Sequence, residues 1–249
     1  MFSAKIALIS DIHGNYRALH AVMQDIEKRN ASSVYDLGDS LYGPLEPAHT
    51  FELIQKFKIQ SICGNQDRII IRPDANMVDN PTYSYVINQL PKDALNWIKQ
   101  LPPNRSVEEK LFLCHGAPVK DDDYLLEKVL SDKIKIKGGA ELDKQLSSIA
   151  ESIICCGHSH KPNIVKTETK TIINPGSVGL PAYDDDQPYY HTMENYHPNA
   201  RYCIVELIND TVKVDQISVP YDYEKAARKA EQNNRPDWAL WLRTGRCKE

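Results

Sequence analysis

The stretch that decides the fold is KIALIS at residues 5–10, which runs directly into the polar residues DIHGN at 11–15. A short apolar run bounded by polar residues predicts a buried strand. The next segment, 16–29, has apolar side chains at the spacing of one helix face, at Leu19, Val22, Met23 and Ile26. Strand, polar loop and helix in this order form the repeating unit of layered α/β folds.

The same order of elements occurs twice more in the first 70 residues. Residues 34–37 and 59–63 predict two further strands, and the polar loops that follow them contain Asp39 and Asn65. A helix is predicted between these strands, where Pro47 stands in the first turn. The N-terminal part of the chain therefore has the βαβ order of a layered α/β fold.

The remainder of the chain predicts a mixture of elements. Helices are predicted over 79–101, 140–150, 223–231 and 237–242, and strands over 105–114, 152–156, 164–165 and 171–173. A hairpin is predicted over 201–219, with Asn209 and Asp210 at its turn. Because no internal repeat or low-complexity linker interrupts the sequence, residues 1–249 are predicted to form a single domain, with a core over about 4–219 and a helical tail over about 221–249.

The composition argues against several classes of protein. The chain has 34 acidic and 30 basic residues, and its net charge of -4 leaves no strong nucleic-acid signature. No run of about 18 apolar residues occurs, so no membrane span is predicted. The N-terminus runs into a strand rather than a signal sequence, and the cysteines lack the spacing of a disulfide framework. We therefore expect a cytoplasmic protein with reduced cysteines.

Candidate metal ligands stand at the carboxyl ends of separate predicted strands, in five loops: Asp11, His13, Asp39, Asn65, His115, His158 and His160. Loops at one rim of an open α/β sheet converge, so we expect these side chains to lie close together. A single zinc site uses three or four ligands, whereas this larger set of oxygen and nitrogen donors suits two ions. The alternative is that these side chains are unrelated polar loop residues, which would require a separate coincidence in each of the five loops.

Six short motifs occur in a fixed order: SDIHGN at 10–15, GDSLYG at 38–43, GN at 64–65, CHGAP at 114–118, GHSH at 157–160 and NPGSVG at 174–179. Together they resemble the calcineurin-like metallophosphoesterases, in particular the small bacterial and archaeal phosphodiesterases. The resemblance implies a four-layer α/β/β/α sandwich, in which two mixed sheets are flanked by helices. It also implies that Asp11, His13 and His160 hold one ion and that Asn65, His115 and His158 hold the other, with Asp39 bridging them.

The chemistry implied by this resemblance is hydrolysis of a phosphoester. Two ions about 3.5–4 Å apart clamp a phosphate and lower the pKa of a bridging water. Asp39, Asn65 and His115 are then expected to activate this water and position the phosphate. In GHSH, one histidine for each ion explains the spacing of two residues better than chelation of a single ion. Mixed ligands of this kind accept manganese, which we favour, and also iron, zinc, cobalt or nickel.

The sequence departs from the family's commonest pattern at Gln66, because many members have a histidine there. An amide donates a hydrogen bond but cannot deliver a proton, and the loss of general-acid help costs about 10²–10⁴-fold in rate. We therefore expect leaving groups that are already good, such as an aryl alcohol or a nucleoside phosphate. Asn15 has two coexisting interpretations, as the N-cap of the following helix and as a phosphate contact.

The polar segment 182–199 is rich in tyrosine and longer than in the shorter relatives. As a lid it would stack a base, with Tyr190 contacting the substrate and His191 or His197 replacing the missing proton donor. As a surface loop or dimer contact it would only pack amphipathically. The sequence leaves both interpretations open, and with them the question of a homo-oligomer.

The leading prediction is a dinuclear metal-dependent phosphoesterase that hydrolyses a small phosphodiester or nucleotide. A dinucleoside polyphosphate hydrolase of the diadenosine tetraphosphate type and a phosphomonoesterase are alternatives. A non-catalytic metal-binding scaffold is a third, because fold does not fix function. Near the C-terminus, the exposed-looking Trp238 and Trp241 are expected to pack on the domain or on a partner.

Overall fold

The computed structural model describes residues 3–77, 79–209 and 211–248. Its strands are β1 (Ser3–Ile9), β2 (Ser33–Asp36), β3 (Gln60–Ser61), β4 (Asn104–Val107), β5 (Leu111–Cys114), β6 (Glu127–Val129), β7 (Ile134–Ile136), β8 (Ile153–Cys155), β9 (Asn163–Lys166), β10 (Thr171–Asn174), β11 (Ala182–Asp185), β12 (His191–Glu194), β13 (Ala200–Ile208) and β14 (Thr211–Val219). Its helices are α1 (Tyr16–Lys28), α2 (Pro47–Lys56), α3 (Asn65–Ile71), α4 (Pro81–Gln89), α5 (Lys92–Ile98), α6 (Gly139–Gln145), α7 (Tyr223–Gln232) and α8 (Pro236–Thr244), with a 3₁₀ turn at Ala75–Met77.

The strands form two large mixed sheets and two small hairpins. The first sheet has the order β14-β13-β1-β2-β3, and the second has the order β4-β5-β8-β10-β9. In the first sheet β1 runs parallel to β2 and antiparallel to β13, and in the second β8 runs parallel to both β5 and β10. The carboxyl ends of β1, β2, β5 and β8 therefore open onto the loops that carry the candidate ligands.

The alternation of side chains along β1 shows how the layers form. Ile6 and Leu8 point into a core shared with the second sheet, where they join residues such as Leu113 and Ile153. Their neighbours Ala7 and Ile9 point the other way, into the core beneath the helices α1 and α2. Successive residues of a strand face opposite sides of a sheet, so a continuous apolar run is what a doubly covered strand requires.

The outer face of the second sheet is also covered. Ile154 and Ile172 pack there against Leu142 and Leu146, at α6 and its end. Helical layers therefore enclose both sheets, and the predicted α/β/β/α sandwich is confirmed. Within the described residues, the helices are too short or too polar to cross a membrane, and the cysteines there are unbridged.

Two predicted helices were longer than the observed ones. The segment 79–101 forms two helices, because the chain leaves helical geometry at Leu90 and Pro91 becomes the N-cap of α5. Proline has no N–H and disfavours helical geometry in the residue before it, so the break falls where the chemistry requires it. The other helix, α6, ends at Gln145. Of the predicted hairpin turn, Asn209 has a left-handed φ of 53°, and Asp210 lies outside the described residues.

The tail folds back onto the domain as the helical hairpin α7–α8. Trp238 is 4% exposed and Trp241 is 6% exposed, and both pack in a cluster with Leu45, Leu180 and Ala182. The sequence-based prediction that these tryptophans are exposed was therefore wrong. Their neighbours come from distant loops and from β11, which the local pattern of the tail cannot show.

Candidate metal centre

The loops that follow β1, β2 and β8 hold their candidate ligands in left-handed backbone geometry. Positive φ values between 51° and 65° occur at Asp11, His13, Asp39, His158 and His160. Such residues are strained and persist only where the surroundings fix them, typically at functional sites. Here the first two loops are joined by hydrogen bonds from the backbone N–H groups of Asp11 and His13 to the carbonyls of Gly38 and Asp39, at 3.0 and 2.9 Å.

Gly157 of the GHSH motif permits a close approach of two loops. A Cβ atom there would lie 2.0 Å from Ser10 Oγ and 2.9 Å from Asp11 Oδ2. The unusual backbone conformations belong to His158 and His160 instead. The glycine is therefore required by space rather than by an unusual backbone conformation.

The first candidate group, here the Asp11 cluster, consists of Asp11, His13 and His160. Nδ1 of His13 donates to the carbonyl of Tyr42 at 3.0 Å, and Nδ1 of His160 donates to the carbonyl of Leu180 at 2.7 Å. Since a carbonyl only accepts, these bonds fix the proton on Nδ1 and leave a lone pair on each Nε2. The two Nε2 atoms face each other at 3.0 Å, an arrangement that fits a cation between or beside them.

Asp11 supplies the negative charge of this cluster. Its side chain is fully buried, and Oδ1 lies 3.4 Å from His160 Nε2 without a hydrogen-bond partner in the described part of the chain. An unpaired buried carboxylate oxygen is costly. A divalent cation bound by this oxygen and the two imidazole lone pairs would satisfy all three.

The second group, here the Asp39 cluster, consists of Asp39, His115 and His158. Nδ1 of His115 donates to the carbonyl of Leu37 at 2.8 Å, so its Nε2 is free to act as a ligand. That Nε2 lies 3.3 Å from Asp39 Oδ2 and 2.9 Å from Oδ1 of Asn65, which brings Asn65 into the cluster. His158 is turned the other way: its Nε2 donates to the carbonyl of Asp122 at 3.1 Å, which leaves Nδ1 for a metal.

The electrostatics of the protein alone are those of a cation site. Burial opposes ionisation of Asp39, but the neighbouring imidazoles of His115, His13 and His158 outweigh it and hold its pKa well below the usual range. Burial likewise opposes protonation of His115, yet Asp39 and Asp11 raise its pKa to about 10. His13 and His158 have pKa values lowered to about 4, mainly by burial. The ionised carboxylate of Asp39 and the neutral imidazoles of His13 and His158 are the forms that bind metals, whereas His115 would lose a proton when a metal binds.

The two clusters are adjacent, since His115 Nε2 and Asp11 Oδ1 are 4.0 Å apart. The structure thus brings together the seven residues that the sequence singled out. Buried carboxylates support the loops from outside: Asp67 accepts from the N–H groups of Asp39, Ser40 and Gly64 at 2.8–3.1 Å. Asp67 thereby orients the loops, and outer partners of this kind hold ligands in place.

A cleft of about 250 Å³ opens above the clusters. Its walls include side chains that no sequence motif indicated, namely Asn80, Arg235, Trp238 and Trp241. They also include Tyr42 of the GDSLYG motif, Gln66, Tyr183, Asp184 and Asp185. Another cavity of about 300 Å³ lies between β7 and β12, away from the two clusters. We regard the cleft as the substrate site because the candidate ligands form its floor.

The predicted substrate contacts lie elsewhere. Asn15 is fully buried: its Oδ1 accepts from the N–H of Ala18, and its Nδ2 donates to the carbonyl of Gly179 and to Tyr221 Oη. It is therefore a helix cap that also ties its loop to the loops of Gly179 and Tyr221, with no side-chain group left for phosphate.

The segment 182–199 is the hairpin β11–β12, and its tyrosines and histidines separate. Tyr183 reaches the cleft, where its ring lies 4.6 Å from that of His160 and its hydroxyl donates to the carbonyl of His158. Tyr190 is 51% exposed and lines a different pocket. His191 bonds to Tyr124, and Nδ1 of His197 accepts from the N–H of Asn199. None of these last three side chains lines the cleft, which contradicts their predicted contacts with a substrate there. Tyr190 and His197 lie outside the paired strands, and His191 is held by Tyr124.

The comparisons with known proteins agree with this site. Residues 4–195 match the calcineurin-like phosphoesterase superfamily domain. The uncharacterized protein MJ0912 of Methanocaldococcus jannaschii is 26% identical in an alignment 261 positions long, gaps included, that covers 96% of each chain. The structure of a metallophosphoesterase from Sphaerobacter thermophilus has a TM-score of 0.75 at 20% identity, over 97% of this chain and 100% of that one. The hypothetical protein PH1004 from Pyrococcus horikoshii OT3 has a TM-score of 0.76 at 18% identity, over 98% and 99%.

The sandwich and its paired clusters define the class of metal-dependent phosphoesterases. The chain belongs to the calcineurin-like phosphoesterase superfamily, as its six motifs indicated. Members of this superfamily use divalent metals, and this chain offers two candidate clusters for them.

Glu127 gives the region behind the GHSH loop a pH-dependent stability. Its carboxylate accepts from Ser159 Oγ at 2.9 Å, and burial raises its pKa from 4.5 to about 7. Between these values the folded protein binds a proton that the unfolded chain has lost, so the free energy of unfolding falls as pH rises. We expect Glu127 to contribute a fall on the order of 2–3 kcal/mol between pH 4.5 and pH 8. Glu127→Gln should remove it.

The measurement is urea unfolding at several pH values with a chelator present, so that metal affinity does not contribute. Glu168→Gln, at an exposed position, is the matched control and should keep the slope of the wild type. Equal pH slopes for the two variants would contradict the prediction.

Proposed function

We propose that the protein is a phosphodiesterase that uses two divalent ions, with manganese favoured, to hydrolyse a small phosphodiester or nucleotide. The observation that carries this proposal is the pair of adjacent clusters at the floor of one cleft. Asp11, His13 and His160 would hold one ion, and Asn65, His115 and His158 would hold the other. Asp39, whose ionisation responds to His115 and also to His13 of the other cluster, would contact both ions.

The chain's own residues prepare this site before a substrate arrives. When bound, two such ions neutralise phosphate charge and lower the pKa of a water molecule. The carbonyls of Leu37, Tyr42 and Leu180 fix the imidazole tautomers, so the ligand lone pairs need no rearrangement. Burial of the donors keeps competing water away and strengthens each interaction.

Gln66 favours substrates with good leaving groups. It lines the cleft, its backbone N–H donates to Asp39 Oδ1 at 2.8 Å, and its Oε1 has no partner within the described residues. The amide is therefore free to hydrogen-bond a substrate but cannot protonate a leaving oxygen. Tyr42 is a poor acid too, because burial raises its pKa to about 12. Among the described lining residues, each histidine belongs to one of the two clusters.

The expected result is faster hydrolysis of a bis-aryl phosphodiester than of the matching aryl monoester, by about 10-fold or more in kcat/KM, with manganese present. Both substrates release the same aryl alcohol, which leaves without a proton, so the lack of a general acid costs little for either. The monoester carries one more negative charge, which Asp184 and Asp185 on the cleft wall repel. A substrate panel against several metals, with His115→Ala as the inactive control, measures this. A metal-loaded enzyme that acts on monoesters alone would overturn the preference.

A dinucleoside polyphosphate is the second candidate substrate. The partly exposed ring of Tyr183 in the cleft favours it, because rings of this kind stack on nucleobases. The single-domain organisation, a cytoplasmic location and any homo-oligomer stay predictions from the sequence. An activity assay on diadenosine tetraphosphate tests the substrate. The mass of the purified protein in solution tests the assembly separately.

A further inference from the structure

The tail hairpin α7–α8 forms one wall of the cleft, although it lies outside the matched superfamily domain, which ends at residue 195. Trp238 stands with its ring edge-on to His13 of the Asp11 cluster, 5.8 Å between ring centroids. Arg235 lies over the same indole, with its Cζ 5.4 Å from the ring centroid. One indole ring therefore separates the guanidinium from the candidate metal centre.

The guanidinium of Arg235 is held rigidly. Nε and Nη2 donate to the carboxylate of Asp237 at 2.9 and 2.6 Å, and Nη1 donates to Thr82 Oγ1 at 2.5 Å. Arginine has five N–H donors, so two of them have no acceptor in the described part of the protein. The side chain is 26% exposed. Two fixed donors are thus presented to the cleft with their orientation already determined.

The charges along the cleft walls make this arginine distinctive. It is the one basic side chain among the described residues that line the cleft, where the other charged wall residues are Asp184 and Asp185. Asp237 offsets part of the charge of Arg235. Arg235 therefore attracts an anion at short range, through hydrogen bonds. A planar guanidinium suits the paired oxygens of a phosphoryl group.

We propose that Arg235 determines substrate specificity by binding a second phosphoryl group, so that the preferred substrate is a nucleotide-type diester with at least two phosphoryl groups. The proposal rests on the function proposed above. The scissile phosphate lies over the two clusters, and the second phosphoryl group accepts the two remaining donors of Arg235. Arg235 takes no part in the bond cleavage itself.

The test compares two substrates with the same leaving group: a p-nitrophenyl ester of thymidine monophosphate, with and without a second phosphate on the sugar. Arg235→Gln is expected to lower kcat/KM for the doubly phosphorylated ester by about 10- to 100-fold, the cost of losing a charge-assisted hydrogen bond. For the simple ester it should stay within about 3-fold of wild type. Arg235→Lys should be intermediate, because it keeps the charge but loses the planar pair of donors.

Arg243→Gln is the matched control, because Arg243 is on the same helix and pairs with Glu224 and Glu231 away from the cleft. It should leave the ratio of the two rates unchanged. Calorimetry measures the binding of thymidine bisphosphate to each chelator-treated variant without any turnover. Arg235→Gln should weaken this binding by about the same 10- to 100-fold as it lowers kcat/KM for the doubly phosphorylated ester.

Equal losses on both esters would overturn the proposal, because they would show a merely structural role. No loss on either ester, or unchanged binding of the bisphosphate, would overturn it too. Failure of the proposed function looks different: the wild type would then hydrolyse neither ester with any metal, while the binding comparison would still report on Arg235.

Discussion

Asp39→Asn is expected to lose both metal ions and more than about 100-fold of the activity, since substitutions of outer partners alone cost 10- to 100-fold. Asp39 Oδ2 lies 3.3 Å from His115 Nε2, and its ionisation responds to His13 of the other cluster as well. A neutral amide removes the negative charge that both ions would share. Elemental analysis after manganese loading, together with steady-state kinetics, measures the two losses.

Asp36→Asn is the control for this prediction. Asp36 is buried in the same loop region, where it accepts from Ser40 Oγ at 2.6 Å and from the N–H of Gly38 at 3.2 Å. Burial raises its pKa to about 8, so an amide there changes little charge at neutral pH. This variant should keep two ions and most of the activity. An Asp39→Asn protein with two ions and near-normal rates would refute the bridging role.

The second large effect concerns GHSH: His158→Asn and His160→Asn should each retain about one of two ions and lose more than about 100-fold of the activity. His160 Nε2 faces His13, whereas His158 turns Nδ1 toward the Asp39 cluster and uses Nε2 for the carbonyl of Asp122. Each substitution therefore removes a ligand from a different cluster. The measurement is metal stoichiometry by elemental analysis at limiting and saturating metal.

Ser159→Ala is the control that distinguishes a disturbed loop from a lost metal ligand. Ser159 lies between the two histidines and donates to Glu127, so its loss disturbs the same loop without removing a donor from either cluster. It should retain two ions. If either histidine variant lost both ions at saturating metal while Ser159→Ala kept them, the assignment of one histidine to each ion would be wrong.

Much of the fold was predictable because it depends on local chemistry. The apolar run of β1 and the helical spacing of α1 predict their elements directly, and Pro236 marks the start of α8. The helix predicted over 79–101 was too long because its apolar pattern continues past Pro91, while the missing N–H at that residue ends it.

The substrate wall was not predictable, for a different reason. The segment 182–199 has the composition of a base-binding lid, but in the hairpin β11–β12 only Tyr183 of its tyrosines reaches the cleft. Tyr190 precedes β12 and lines another pocket, and His191 is buried against Tyr124. Tertiary contacts therefore choose which side chains of the segment reach the cleft. Composition carries no information about that choice.

Short patterns in the sequence predicted the candidate donors and the layered fold, because strand ends and their polar loops follow from such patterns. Tertiary contacts choose which nitrogen of each histidine is left free for a metal. That choice depends on the carbonyls of Leu37, Tyr42, Asp122 and Leu180, each distant in sequence from the imidazole that it binds. Tertiary structure alone also brought Arg235 and Trp238 to the cleft, because their contacts with Thr82 and His13 span most of the chain.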